Sequence, residues 1–196
     1  MFQGIMTNFL VLFLFVLSII LFLIGLLWML IPALHGLPSR PTGWNRIRRA
    51  LKLVNLRPDE VLYDLGSGDG RVLIIAAREF GARAVGIEIG PVQRAFSWVQ
   101  VRRSGISHKV RIEAANFYKT DLQEADVVFV YATSREVIKL APHLEKQMKP
   151  GSRLVSISAD FPEWEPSLFD ERELIFIYEM PPKPGSLMTY LLKKAV

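Results

Sequence analysis

"LYDLGSGDGRV", residues 62–72, decides how the rest of the chain is read. An apolar run ends at Asp64, and Gly66, Gly68 and Gly70 follow at every second position before a helix-like segment begins. A strand that enters a helix through glycines leaves bare main chain at the carboxyl end of the strand, where open α/β sheets bind their ligands. Glycine admits positive φ and lets a ligand lie against the backbone. Two ligand classes use that device, and spacing separates them. The dinucleotide fingerprint G-x-G-x-x-G, started at Gly66, requires glycine at 71; that position is Arg71. An acid directly ahead of the loop also repels a pyrophosphate and attracts an ammonium group.

S-adenosylmethionine carries an amine and a cationic sulfonium and no phosphate, so it suits this loop. Asp64 is expected to face the methionine amine, directly or through a water. Gly66, Ser67, Gly68 and Gly70 are expected to line the donor. Glu88 ends the next strand-like run, followed by Ile89. A carboxylate there accepts both ribose hydroxyls. After the third run, "ANFYKTD" offers Asn116 to the adenine edge and Phe117 to the ring. Taken singly, a loop acid often only caps a helix and a loop Asn often only serves its turn. The order Asp64, three glycines, Glu88 points beyond that.

Outward from the loop, strands and helices alternate. "WNRIRRALKLVNL" carries Ile47, Leu51 and Val54 on one stripe, a short amphipathic helix. The strands are "RPDEVLYDL", "ARAVGIEI", "KVRIEAANF", "ADVVFVYA" and "RLVSISAD". Between them lie the helices "GRVLIIAAREFG", "PVQRAFSWVQVRRSG" and "TSREVIKLAPHLEKQM". The last opens with a capping box, Thr133 with Glu136, and is expected to kink or divide at Pro142. "ELIFIYEM" and "SLMTYLLKK" follow and read as two final strands paired antiparallel. The expectation is an α/β, Rossmann-like, mainly parallel seven-strand sheet with helices on both faces, over residues 44–196.

The first part of the chain is different. No Asp, Glu, Lys or Arg precedes Arg40, and Phe9–Ile31 is apolar but for Ser18 and Gly25. As a helix those residues reach about 34 Å, enough for a hydrocarbon core of about 30 Å. A cleaved signal peptide has a shorter apolar region behind a basic one and ends at a small-residue site. Residues 1–36 are therefore read as a single transmembrane anchor and 37–43 as a linker. Arg40, Arg46, Arg48, Arg49 and Lys52 follow the span, which favours a cytoplasmic side for the domain and contact of the helix with the lipid bilayer. The net charge of +5 needs no nucleic acid beyond this cluster, and no aromatic-basic nucleic-acid motif is seen. There is no Cys, hence no disulfide, thiolate zinc site or Cys nucleophile. His35, His108 and His143 lack ligand spacing, so no metal site is expected.

"DLGSGDGR", "GIEI" and "DVVFVY", in this order, resemble the class I, seven-strand S-adenosylmethionine-dependent methyltransferases, over roughly Trp44 to the end. With the apolar N-terminal segment and Pro41-Thr42, the chain is similar to the small membrane-anchored protein-lysine methyltransferases. That group includes the enzyme that methylates the c-type ring protein of ATP synthase. The resemblance implies transfer of a methyl group to a lysine Nε of a membrane-associated protein. That group often has Asp where this chain has Asn116.

Methyl transfer from a sulfonium is an in-line displacement that asks the protein mainly to align donor and acceptor. A lysine acceptor must also be neutral, against a free pKa of about 10.4. Candidate acceptor-side residues are Tyr131, Thr133, Ser134, Asp160 and Trp164, with Tyr131 the preferred catalytic candidate lining the channel. The other reading of Tyr131 is a strand aromatic packed on the sheet. "YATS" is not the Asn-Pro-Pro-Tyr type of motif tied to planar exocyclic amines. No lid-sized insertion follows the fourth or fifth strand, which favours an open groove over an enclosing pocket. Two alternatives stand beside the lysine reading: methylation of a lipid or quinone-like molecule, and a non-catalytic S-adenosylmethionine-binding protein. Oligomeric state is not set by the sequence.

Overall fold

The computed structural model describes residues 2–34 and 42–195. Most of the expected linker, with Arg40 and Pro41, lies outside the described residues. Helix α1, Phe2–Leu34, is continuous, and every side chain described on it is exposed. Within it, Asn8–Leu27 is long and apolar enough to cross a membrane.

The remainder alternates as the sequence suggests. Helix α2 (Trp44–Leu53) precedes β1 (Val61–Leu65), α3 (Arg71–Glu79), β2 (Arg83–Ile87), α4 (Pro91–Arg103) and β3 (Val110–Glu113). Then come a single 3-10 turn (Phe117–Lys119), β4 (Val127–Tyr131), α5 (Ser134–Gln147) and β5 (Arg153–Ile157). The chain closes with β6 (Trp164–Glu165), β7 (Leu168–Asp170), β8 (Ile175–Glu179), β9 (Lys183–Pro184) and α6 (Leu187–Lys194). Seven strands form one sheet in the order β3-β2-β1-β4-β5-β8-β7. The first five are parallel; β8 runs antiparallel to β5, and β7 antiparallel to β8. The order reverses between β1 and β4, the switch point at which such sheets open a crevice.

All five β1 residues are buried because both sheet faces are covered, so the strand reads as one apolar run. Leu62, Val127, Phe129, Val155 and Ile177 pack under α2 and α3 with Ile47, Leu51 and Ile75. The alternate residues Tyr63, Leu65, Val128, Val130 and Leu154 pack under α5 with Val137, Leu140 and Leu144. Each fully buried side chain of this size contributes about 2 kcal/mol of transfer free energy.

Two expectations are corrected. "SLMTYLLKK" is α6, not a strand. Ser186 accepts from the Thr189 N–H as an N-cap, and Leu187, Tyr190 and Leu191 fall at helical spacing in a segment of good helix formers. The seventh strand is instead β7, three residues in the stretch after "DFPEWEP". Pro142 does not divide α5, which runs unbroken from Ser134 to Gln147. The capping box of Thr133 and Glu136 forms as expected.

The basic residues that follow α1 are largely used inside the fold. Arg46 bonds the Glu173 carbonyl and Ser158 Oγ, Arg48 pairs with Glu79, and Arg49 pairs with Asp170.

Candidate active site

Asp64, Glu88, Asn116 and Tyr131 stand at the carboxyl ends of β1, β2, β3 and β4, so the topology brings the sequence candidates to one edge of the sheet. Asp64 pairs in register with Gly86, one position before β1 ends. The loop then folds back on β2: the N–H groups of Gly66 and Ser67 both donate to the Ile87 carbonyl, at 2.9 and 3.1 Å. The Gly70 N–H closes the turn onto the Ser67 carbonyl at 2.8 Å.

The glycines do different jobs. Gly68 has φ +52, and a Cβ there would meet nothing nearer than the Gly66 carbonyl at 3.9 Å. Its bare side is open, which is the cradle a ligand can lie against. Gly70, at φ +79 and capping α3, is bare for a second reason. A Cβ there would lie 2.2 Å from Ser97 Oγ, so α4 packs directly onto the turn. Ser67 plays the same part toward β2, its hydroxyl 2.7 Å from where a Gly86 Cβ would stand.

Glu88, 6% exposed, holds the loop from the side. Oε2 accepts from the Gly68 N–H at 2.9 Å and Oε1 from the Gly90 N–H at 2.7 Å. A carboxylate offers about four lone-pair positions, so two remain for a diol. Asp64 is 4% exposed. Burial pushes its carboxyl well above the ordinary range, and the charges of Glu88 and Asp69 push it the same way. Asp69 itself pairs with Arg71, whose Nη1 donates to the Thr42 carbonyl at 2.8 Å. The loop is therefore a locally negative environment.

These features fit S-adenosylmethionine. Asp64, buried beside like charges, suits a cationic amine; Glu88 suits a ribose; Gly68 gives close approach. Among the described residues, the buried hydroxyls of Thr42, Ser67 and Ser97 have no hydrogen-bond partner, and all three residues touch the glycine loop or its Arg71. Ile89 follows Glu88 outside β2. Asn116 is partly committed: its Oδ1 accepts from the Tyr118 N–H at 3.0 Å, so its NH2 group is the part left for an adenine edge. Phe117 is buried in the core under α5, with its ring 4.3 Å from that of Tyr118.

On the acceptor side, Tyr131 ends β4 half-buried and packs against the core under α2 and α3. Trp164, a candidate acceptor-side residue, lies in the core. It is buried, stacks on Phe161 with centroids 4.3 Å apart, and donates Nε1 to Glu145 at 3.0 Å. Two further residues carry no mark in the sequence. Tyr178 Oη accepts from the Phe161 N–H at 2.9 Å and so pins the segment after β5; burial pushes its phenol up. Ser158, just past β5, has φ +68, a left-handed conformation rare outside glycine. Neither has a local signal, since both roles depend on tertiary partners. Among the described residues no group of His, Cys, Asp and Glu is placed to hold a metal ion.

The family model of the ANTKMT methyltransferase domain matches residues 64–168, more than half the chain. A protein-lysine N-methyltransferase of Saccharolobus islandicus is 35% identical over 130 residues, covering 66% of this chain and 81% of that one. An ATP synthase c-subunit lysine N-methyltransferase of Xenopus laevis is 28% identical over 153 residues, covering 76% and 67%. Among solved structures, an RNA methyltransferase from Salinibacter ruber in complex with S-adenosyl-L-homocysteine superposes with a TM-score of 0.71 at 34% identity, covering 74% of this chain and 97% of that one. The chain belongs to the ANTKMT methyltransferase-domain family and is a class I S-adenosylmethionine-dependent methyltransferase.

Proposed function

We propose that this chain transfers a methyl group to the Nε of a lysine on a membrane-associated protein, with α1 spanning the bilayer and the catalytic domain on its cytoplasmic side. The observation that carries the reading is the union of two parts in one polypeptide: a donor site whose relatives are named for lysine, and an exposed apolar helix of membrane-spanning length. The basic residues that follow the helix support the sidedness.

When bound, S-adenosylmethionine supplies an activated methyl group. The chain's own residues bind and orient. Asp64 is assigned to the amine, Glu88 to the ribose, Gly66, Ser67, Gly68 and Gly70 to the backbone cradle, with Ile89, Asn116 and Phe117 at the adenosine end. Tyr131 lines the acceptor channel from the end of β4. It lies across the switch point from the carboxylates, which matters because a nearby negative charge holds a lysine in its protonated, unreactive form.

The test uses native membranes incubated with the full chain and methyl-labelled donor, then separated into protein, lipid and RNA. Label in a protein band, with the added mass on lysine, supports the reading. Label in the lipid extract replaces it with the lipid or quinone-like acceptor; label in RNA, the acceptor class for which the Salinibacter ruber protein is named, replaces it with nucleic acid. Donor binding without turnover on any fraction leaves the non-catalytic reading. Alkaline carbonate extraction tests the anchor: release of the full chain into the supernatant rules out a span.

A further inference from the structure

Helix α4 is built inside out. The side toward the domain carries Gln93, Ser97 and Val101, all buried, two of them polar. The side turned away carries Phe96, Trp98 and Val99, which are 45, 53 and 39% exposed, together with Ala95, Arg102 and Arg103. At 100° per residue these outward residues form one continuous face. A helix that meets only water places its apolar residues the other way round. Arg102 lies over the Trp98 ring at 5.0 Å, so cation and aromatic occupy the same patch.

Charge and position indicate what the face meets. Of the cations between Glu88 and Glu113, Arg111 pairs with Glu113 and Glu124, Lys109 donates to the Gly81 carbonyl and half-buried Arg94 to the Glu88 carbonyl, which leaves Arg102 and Arg103 as the exposed cations of the α4 face, on a helix without a carboxylate. Tryptophan beside arginine is the composition of the bilayer interface, where the ring sits among headgroups and the cations meet anionic lipid. Helix α4 is also in contact with α1. Its first residue lies three positions beyond Glu88, so one end of the helix borders the donor cleft.

We propose that the outer face of α4 lies in the headgroup layer of an anionic bilayer as a second, interfacial attachment beside α1, and thereby sets how the donor cleft is presented to the membrane. The proposal rests on α1 as a span and adds an orientation that a span alone does not supply, because one helix crossing the bilayer does not fix which face of the domain turns to the surface. The other candidate occupants, a second copy of the chain or a protein partner, do not call for two exposed arginines beside an exposed tryptophan on a helix without acids.

The chain has no cysteine, so single-cysteine variants of the full protein can be spin-labelled cleanly. Val99→Cys and Trp98→Cys report on α4, Leu14→Cys on α1, and Lys146→Cys on the far side of the domain. The protein is reconstituted into phosphatidylcholine vesicles with about one quarter phosphatidylglycerol, and label accessibility to oxygen and to a water-soluble nickel chelate is measured. Retained binding of S-adenosylhomocysteine certifies each variant as folded. The expected result is an oxygen-to-nickel ratio at positions 98 and 99 at least about threefold above that at 146, lying between those of 146 and 14. Arg102→Glu with Arg103→Glu, or vesicles of phosphatidylcholine alone, should bring it back toward the value at 146. A lipid-like label at 14 with water-like labels at 98 and 99 overturns the proposal and leaves the span intact. A water-like label at 14 overturns the span itself. Labels at 98 and 99 shielded from both reagents mean a protein surface covers the face, which also overturns it.

Discussion

Gly68 and Glu88 are joined by a 2.9 Å hydrogen bond from the loop N–H to the carboxylate, so the side chain assigned to the ribose also fixes the shape of the glycine cradle. Glu88→Gln keeps the volume but removes the charge and leaves one oxygen for two N–H donors. Donor affinity should fall at least tenfold, about 1.4 kcal/mol, by calorimetry with S-adenosylhomocysteine. Unfolding stability should fall by about 1–3 kcal/mol, because one buried N–H loses its acceptor. Unaltered affinity would remove Glu88 from the donor site.

Gly70→Ala tests the packing of α4 on the loop. It meets two penalties: a left-handed φ, which costs a residue with a Cβ about 1–2 kcal/mol, and overpacking against Ser97, about 1–3 kcal/mol. Adding Ser97→Gly should restore the second part and not the first. Urea midpoints of the two variants separate them, and a Gly70→Ala protein as stable as the parent would mean that the loop shifts freely.

Asp64 makes the fold and the ligand oppose each other through pH. Its folded-state pKa is raised by burial and by Glu88 and Asp69, so above the ordinary aspartate range the native state holds the proton that the unfolded chain has lost. Stability from this group therefore falls as pH rises from the unfolded value through the folded one. Asp64→Asn should flatten that dependence and stabilise the domain near neutrality while weakening donor binding at least tenfold, about 1.4 kcal/mol. Binding of the cationic donor to the parent should release a proton in the window where Asp64 is still protonated, seen as a buffer-dependent calorimetric heat. Proton uptake instead would contradict the amine assignment.

At the opposite edge of the sheet, Glu60 is buried and pairs with Arg153 and Arg57, while Arg153 also donates to the Val54 and Asn55 carbonyls. Glu60→Ala strands a largely buried guanidinium and should cost about 3–5 kcal/mol of stability. S-adenosylhomocysteine affinity of the folded protein should not change. Thermal melts and calorimetry on the same sample distinguish this support from any role in the cleft.

The candidate donor site is legible because it is written in adjacent positions. A strand end, an acid and three glycines share one stretch, and Glu88 repeats the pattern one strand later. The carboxyl ends of parallel strands then bring the pieces together without further instruction. The C-terminal third is harder. Short apolar runs do not separate a two-residue period from a 3.6-residue one, so the segment of α6 reads as a strand until its N-cap is seen. Strand β7, three residues long, is too brief to display any alternation. The burial of Trp164 is not legible in the sequence, because its stacking partner Phe161 and its Glu145 acceptor are brought to it only by the fold. The contact of Ser97 with Gly70 leaves no trace in the sequence for the same reason: it joins residues that only the folded chain makes neighbours.

That contact has a mechanical consequence. A Cβ at Gly70 would lie 2.2 Å from the Ser97 hydroxyl, so a shift of the helix toward the turn has nowhere to go but into the loop main chain. With α4 seated in the headgroup layer as proposed, tilting the helix would tug on the cradle, and an occupied cradle would brace the helix in return, since coupling between two equilibria is reciprocal. On that proposal, grip on the cosubstrate and grip on the lipid surface would become two gauges of a single joint, and a change in leaflet charge should register as a change in donor affinity.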